Sequence, residues 1–211
     1  MVTVSSASDG WSRTWQRRRD HTFDIAAVAD FLVAIIEHER AKPPMPDLRV
    51  PSGVAASASG VHVVQLAAIR LGTRSQSTTP KDLLGALNDE RRRARIGRGL
   101  AANGLIEADL RALADVAQLH LYRPNKLNYD PFEPFGRNVL PIALVGKAAV
   151  SGIESRYVLV LDYGDHTVKV ADPAGQGLMT ITRDSFWASW KLAQRRDLSW
   201  VGLVTPTSTP R

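Results

Sequence analysis

The chain has 211 residues, 44% hydrophobic and 23% charged, the proportions of a globular protein able to bury a core; a disordered, collagen-like or coiled-coil chain is excluded. It has no cysteine, which excludes disulfides, thiolate zinc sites, iron–sulfur clusters and a cysteine nucleophile. Lys and Arg outnumber Asp and Glu by 27 to 21, a formal charge of +6 that fits acidic partners and also fits ordinary solubility.

Residues 1–20 are polar, with Trp11 and Trp15 four apart among the arginines Arg17, Arg18 and Arg19; they read as a short docking helix or a partly ordered tail. Residues 24–40 carry a helix period, with Ile25, Val28, Leu32, Ile35 and Ile36 on one face and Asp24 as the cap. The arginines and the apolar run after them superficially resemble a secretion signal. Asp24 and Asp30 break into it, and Glu37-His38-Glu39-Arg40 comes where small residues would mark cleavage. No stretch reaches the roughly 18–20 apolar residues of a membrane span, so the chain is read as a soluble, cytoplasmic protein. Residues 41–58, with Pro43, Pro44, Pro46 and Pro51, read as a loop. The expected organisation is an N-terminal extension over 1–49, one domain over 50–206 and a polar tail over 207–211.

Gly60 to Leu71 reads as a buried helix stopped by Gly72. Thr79-Pro80-Lys81-Asp82 is a helix start: threonine caps, proline takes the first turn and Asp82 faces the dipole. Arg91, Arg92, Arg93, Arg95 and Arg98 cluster at the expected end of that helix. They read either as a solvated face or as a partner-binding surface, for which Arg91, Arg92, Arg93 and Arg95 are the candidates. Residues 96–106 are glycine-rich and read as a loop, and a helix is expected over 107–117. The second half is β-like, with runs at 119–123, 139–145, 156–163, 167–171 and 178–182, a short helix at 183–192 and a last strand at 200–204. Tyr163-Gly164-Asp165-His166 predicts a hairpin turn. Helices first and an antiparallel sheet afterwards is an α+β arrangement.

Particular residues sharpen this. Ser155 to Tyr163, then Val168-Lys169-Val170-Ala171-Asp172-Pro173-Ala174, resembles the bacteriocin-processing, double-glycine cysteine peptidases and their relatives. Met179-Thr180-Ile181, then Phe186 and Trp190, is similar to the next strand and helix of that family, and Thr205-Pro206 to the end of its closing strand. Ser59-Gly60-Val61-His62 through Gly72 looks like its nucleophile helix, and Leu110 to Ala114 like the helix before its sheet. The resemblance covers roughly residues 50–206. It implies a papain-like fold, N-terminal helices packed on a C-terminal twisted antiparallel sheet.

That chemistry needs a thiolate at a helix N-terminus, an imidazole to deprotonate it, an Asp or Asn to orient the imidazole and an oxyanion donor. Here Ser59 stands where the resemblance places the cysteine, Arg156 where it places the histidine, and Asp172 alone matches. No glutamine lies between Pro51 and Ser59 to serve as the oxyanion donor. A guanidinium stays protonated and is no general base, but it can pair with Asp172. His62, one turn on from Ser59, is the imidazole for a Ser–His dyad; its alternative is a packed helix residue. His166 falls in a predicted turn, and His21, His38 and His120 are scattered, so no metal site is expected and no cofactor is implied.

Three readings stay open. One is an inactive, pseudo-peptidase domain that binds a peptide or protein partner in the former substrate cleft, as cysteine-free domains of this type do in some secretion transporters. Another is a hydrolase or acyltransferase using Ser59. The third is nucleic-acid binding through the arginine clusters, although no nucleic-acid motif is present. The sequence does not set the oligomeric state.

Overall fold

A computed structural model describes residues 2–5, 12–15, 47–101, 104–122, 132, 139–149, 152–194 and 201–207. The chain divides into two compact units, Met1–Met45 with Ser208–Arg211, and Pro46–Thr207.

In the first unit, β1 (Val2–Ser5) pairs antiparallel with β2 (Ser12–Trp15), Val2 opposite Trp15. This corrects the expectation of a helix or tail there: Val2, Thr3, Val4 and Thr14 are β-branched and favour the pleated backbone. The expected helix at 24–40, Trp11 and the Arg17–Arg19 cluster lie outside the described residues.

The second unit is built on six strands: β3 (Leu119–Tyr122), β4 (Leu140–Ala149), β5 (Gly152–Tyr163), β6 (Thr167–Asp172), β7 (Gly177–Thr182) and β8 (Val201–Pro206). Their order is β3-β8-β4-β5-β6-β7, and every neighbouring pair is antiparallel. The expected hairpin at 163–166 joins β5 to β6, closed by the Gly164 amide on the Thr167 carbonyl at 2.9 Å. β5 is bulged between Val160 and Asp162.

Strand alternation sends side chains to two cores. On one face Ile142, Leu144, Tyr157, Leu159 and Ala171 pack with α1 (Ser59–Arg70), α2 (Pro80–Gly85) and α4 (Glu107–Val116). On the other, Val145, Val158, Val160, Val168 and Val170 pack with Phe132 and with Phe186 and Trp190 of α5 (Arg183–Gln194). The domain is therefore α+β, helices on a six-stranded antiparallel sheet. Among the described residues, no helix is long and apolar enough to cross a membrane.

Local signals explain the helix ends. Gly72 takes φ +72°, and its amide bonds the Ile69 carbonyl at 3.1 Å, which closes α1. At α2, Thr79 and Asp82 exchange hydrogen bonds: the Asp82 amide donates to Thr79 Oγ1 at 3.2 Å and the Thr79 amide to Asp82 Oδ2 at 2.7 Å. The Thr79 amide and the Thr79 hydroxyl, which donates to Asp82 Oδ2 at 2.8 Å, hold the Asp82 carboxyl below its ordinary pKa.

The glycine-rich stretch is corrected. Residues Glu90–Ala101 form a helix, α3, and the five arginines lie within it rather than at the end of the preceding helix. Ile96 anchors it in the core. Gly99 is there for a close approach: a Cβ would sit 2.7 Å from the Gly104 carbonyl oxygen, and the Gly104 amide bonds the Gly99 carbonyl at 2.8 Å.

Candidate functional site at the head of helix α1

A short 3-10 turn, Ala56–Ala58, leads directly into Ser59, the first residue of α1. Ser59 is fully buried. Its hydroxyl donates to the Ala56 carbonyl at 2.6 Å and accepts from the Tyr157 amide at 2.9 Å. The helix head therefore meets β5 at the peptide joining Arg156 to Tyr157, across 98 residues of sequence. Tyr157 passes its ring under the helix, where Gly60 makes room: a Cβ at Gly60 would lie 3.2 Å from the ring and 3.0 Å from Leu110 Cδ2. The Tyr157 hydroxyl donates to the Leu105 carbonyl at 2.9 Å. Its pKa is pushed up, first by burial and then by the carboxylates of Glu107 and Asp109.

Arg156 leaves the strand on the opposite face, with Val158 and Val160. Leu159 is opposite Ala171, so the register brings Asp172 level with Val158, two residues from Arg156 on the same face. A long side chain spans that diagonal. Arg156 Nε donates to Asp172 Oδ1 at 3.0 Å and Oδ2 at 2.9 Å, and Nη2 to Oδ2 at 2.8 Å. The Asp172 side chain is 4% exposed and that of Arg156 18%, so the pair is sheltered and its partners are not interchangeable with water.

Asp172 is held from behind as well. The Gly175 amide donates to its Oδ1 at 2.9 Å, folding Asp172-Pro173-Ala174-Gly175 into a turn. A Cβ at Gly175 would stand 2.4 Å from Asp172 Oδ2, so any larger residue would push the carboxylate from its bonds. The same turn grips the segment before α1: the Gly53 amide bonds the Gly175 carbonyl and the Val54 amide the Pro173 carbonyl, both at 3.0 Å. Three positions far apart in sequence, Ser59, Arg156 and Asp172, are thus joined through one peptide and one turn. Among the described residues, the Ser59 hydroxyl is bonded to main chain and not to the side chain of Arg156 or Asp172.

The Ser59–His62 dyad is not formed, because the Ser59 proton goes to a main-chain carbonyl. His62 is half-buried on α1, and its Nδ1 is buried without a hydrogen-bond partner among the described residues. Burial lowers its pKa below the ordinary 6.5. His166 is exposed in its turn, and His120 stacks on Tyr122, with ring centroids 6.0 Å apart. Among the described residues, no group of three His, Asp or Glu stands together as a metal site.

The four candidate partner-binding arginines divide. Arg93 donates to the Leu87 carbonyl, and Arg95 pairs with the buried Asp109. Asp109 in turn accepts from the Ile106 amide at 3.3 Å, so Arg95 ties α3 to the start of α4. Arg91 and Arg92 are exposed and make no side-chain bond among the described residues. Sequence reasoning missed Gly175 and the Ala56 carbonyl. The Asp-Pro-x-Gly spacing is the signal for the first; nothing in the sequence marks the second.

No protein-family model matches the chain, and no curated protein matches it. Among solved structures it is similar to a double glycine motif protease from an AMS/PCAT transporter, crystallised in complex with the leader peptide. The TM-score is 0.45 at 13% identity, over 79% of this chain and 96% of that chain.

Proposed function

We propose that residues 50–206 are a papain-like domain without hydrolytic chemistry that binds a peptide or protein partner at the former substrate cleft, beside the head of α1. One observation carries the reading: the hydroxyl at the nucleophile position gives its proton to the Ala56 carbonyl, a group that cannot act as a base. The base position supports it. A guanidinium is no general base, and that of Arg156 occupies the Asp172 carboxylate that would orient an imidazole. Peptide binding rests on the resemblance and on a general mode of recognition, in which an extended chain lies along exposed main chain at the end of a sheet. The exposed loop residues Ser52, Gly53 and Ala55 border that position.

The test begins with random-peptide display on the whole chain. Selected peptides are measured by fluorescence anisotropy against the unaltered protein and the Ala55→Trp variant. Each is also incubated with the protein and monitored by mass spectrometry. The expected result is binding that Ala55→Trp weakens, with peptides left intact. Cleavage that disappears in Ser59→Ala would overturn the reading and install Ser59 as a nucleophile.

A further inference from the structure

Helix α3 is costly as built. It holds five arginines and one acid, Glu90, and it contains Gly97 and Gly99, which weaken a helix. Arg91 and Arg95 stand at i,i+4, Arg92 and Arg95 and Arg95 and Arg98 at i,i+3, all like-charge neighbours. Internal partners relieve only Arg93 and Arg95. Arg91, Arg92 and Arg98 are exposed and have no ionic or hydrogen-bonded side-chain partner among the described residues. At about 100° per residue, Arg91 and Arg98 lie on one stripe, some 140° or more from the Ile96 anchor and about 10 Å apart along the axis, while Arg92 lies about 100° round from Arg91, exposed at the rim of that stripe. Asp89, whose Oδ1 accepts from the Arg92 amide at 3.1 Å, and Glu90 stand at the helix start, and among the described residues neither makes an ion pair with these three guanidinium groups, so the surface keeps a positive excess.

Its position matters. Ser57, in the turn that delivers Ser59, donates its hydroxyl to the Leu100 carbonyl of α3 at 2.6 Å. The arginine helix therefore flanks the segment that leads into the candidate site. We infer that Arg91, Arg92 and Arg98 form a docking surface for an acidic segment of a protein partner, a stretch of Asp or Glu adjoining the part held at the head of α1. The inference rests on the proposed function only for where the rest of the partner lies. A protein segment is favoured over nucleic acid because α3 carries no aromatic side chain on which a base would stack. Three cations on one short helix also neutralise few phosphates.

The test uses a fluorescein-labelled oligoglutamate peptide and an oligo-dT of equal charge, titrated at low salt against the whole chain. The variant is Arg91→Glu/Arg92→Glu/Arg98→Glu, with Arg91→Gln/Arg92→Gln/Arg98→Gln as a gentler form. The charge-matched control, Lys81→Glu/Lys147→Glu/Lys191→Glu, alters exposed lysines elsewhere. The inference expects oligoglutamate to bind and the arginine variants to weaken it by about tenfold or more, the sum of three partly exposed ion pairs. The lysine control should leave it within about threefold. Ala55→Trp should leave oligoglutamate binding intact, so loss of the cleft reading and loss of this one are distinguishable. Three results overturn it: no oligoglutamate binding, equal weakening by the control, or tighter binding of oligo-dT through the same arginines.

Discussion

Removing Arg156 while keeping its volume, as in Arg156→Met, leaves the Asp172 carboxylate, 4% exposed, with the Gly175 amide as its one hydrogen-bond donor among the described residues. Breaking a buried pair from one side costs about 3–5 kcal/mol, because the remaining charge is neither paired nor hydrated. Asp172→Asn should cost less, about 1–3 kcal/mol, because an amide still accepts from Gly175 and Arg156, at 18% exposure, can turn toward water. The double variant Arg156→Met/Asp172→Asn should then be more stable than Arg156→Met alone, which requires a coupling larger than the cost of Asp172→Asn itself. The assay is urea unfolding monitored by tryptophan fluorescence and circular dichroism. With a slope of about 2 kcal/mol/M, Arg156→Met should lower the midpoint by roughly 2 M at unchanged slope. A loss below about 1 kcal/mol, the range of surface ion pairs, would refute the view that this pair is a sheltered structural bond.

Other substitutions test the same site from different sides. Ser59→Ala removes the hydroxyl that accepts from the buried Tyr157 amide and should cost about 1–3 kcal/mol in the same unfolding experiment, whereas a hydroxyl with no structural duty would be removed at no cost. Gly175→Ala drives a methyl into the Asp172 carboxylate and should destabilise by about 1–3 kcal/mol, with the effect shrinking when Asp172 is also replaced by Ala. His62, with its pKa lowered by burial, binds its proton less readily when folded. Its contribution to stability is present above the ordinary 6.5 and lost as pH falls through the lower folded value. A midpoint-versus-pH series should fall on acidification, and His62→Gln should flatten that fall; an unchanged slope would place the effect elsewhere.

How far the sequence carried depends on which forces act locally. β5, β6 and β7 were legible because Val, Leu and Ile runs bounded by Tyr163-Gly164-Asp165-His166 and Asp172-Pro173 fix strand and turn within a few residues. The capped start at Thr79-Pro80 was legible for the same reason. Helix α3 was not, because its glycines and arginines argue against a helix. What holds it is remote: the Ile96 anchor, the Arg95–Asp109 pair and the glycine contact with Gly104. The N-terminal strand pair was not legible because Trp11 and Trp15 stand at helical spacing beside the β-branched Val2, Thr3, Val4 and Thr14, and the pairing that decides between them is not local.

The candidate site shows the same divide more sharply. Ser59, Arg156 and Asp172 stand at the positions the resemblance picks out, and their residue types alone say that no imidazole stands where the resemblance would put one. Residue types do not say what the replacements do. A serine at a helix head is free to be a nucleophile, a cap or a spacer, and only the Ala56 carbonyl and Tyr157 amide decide among them. An arginine is likewise free to meet solvent, a phosphate or a carboxylate until the β5–β6 register sets it diagonal to Asp172. Ser59 satisfies a buried amide, and Arg156 pairs a sheltered carboxylate. That makes both side chains parts of the fold. The double variant Ser59→Cys/Arg156→His therefore disrupts two structural bonds before any chemistry can begin. It should lose stability in urea and, on the proposed reading, gain no peptidase activity, read as release of a fluorophore from quenched peptides. Turnover of those peptides by a variant as stable as the unaltered chain would show that Ser59 and Arg156 are replaceable ornaments on a working site.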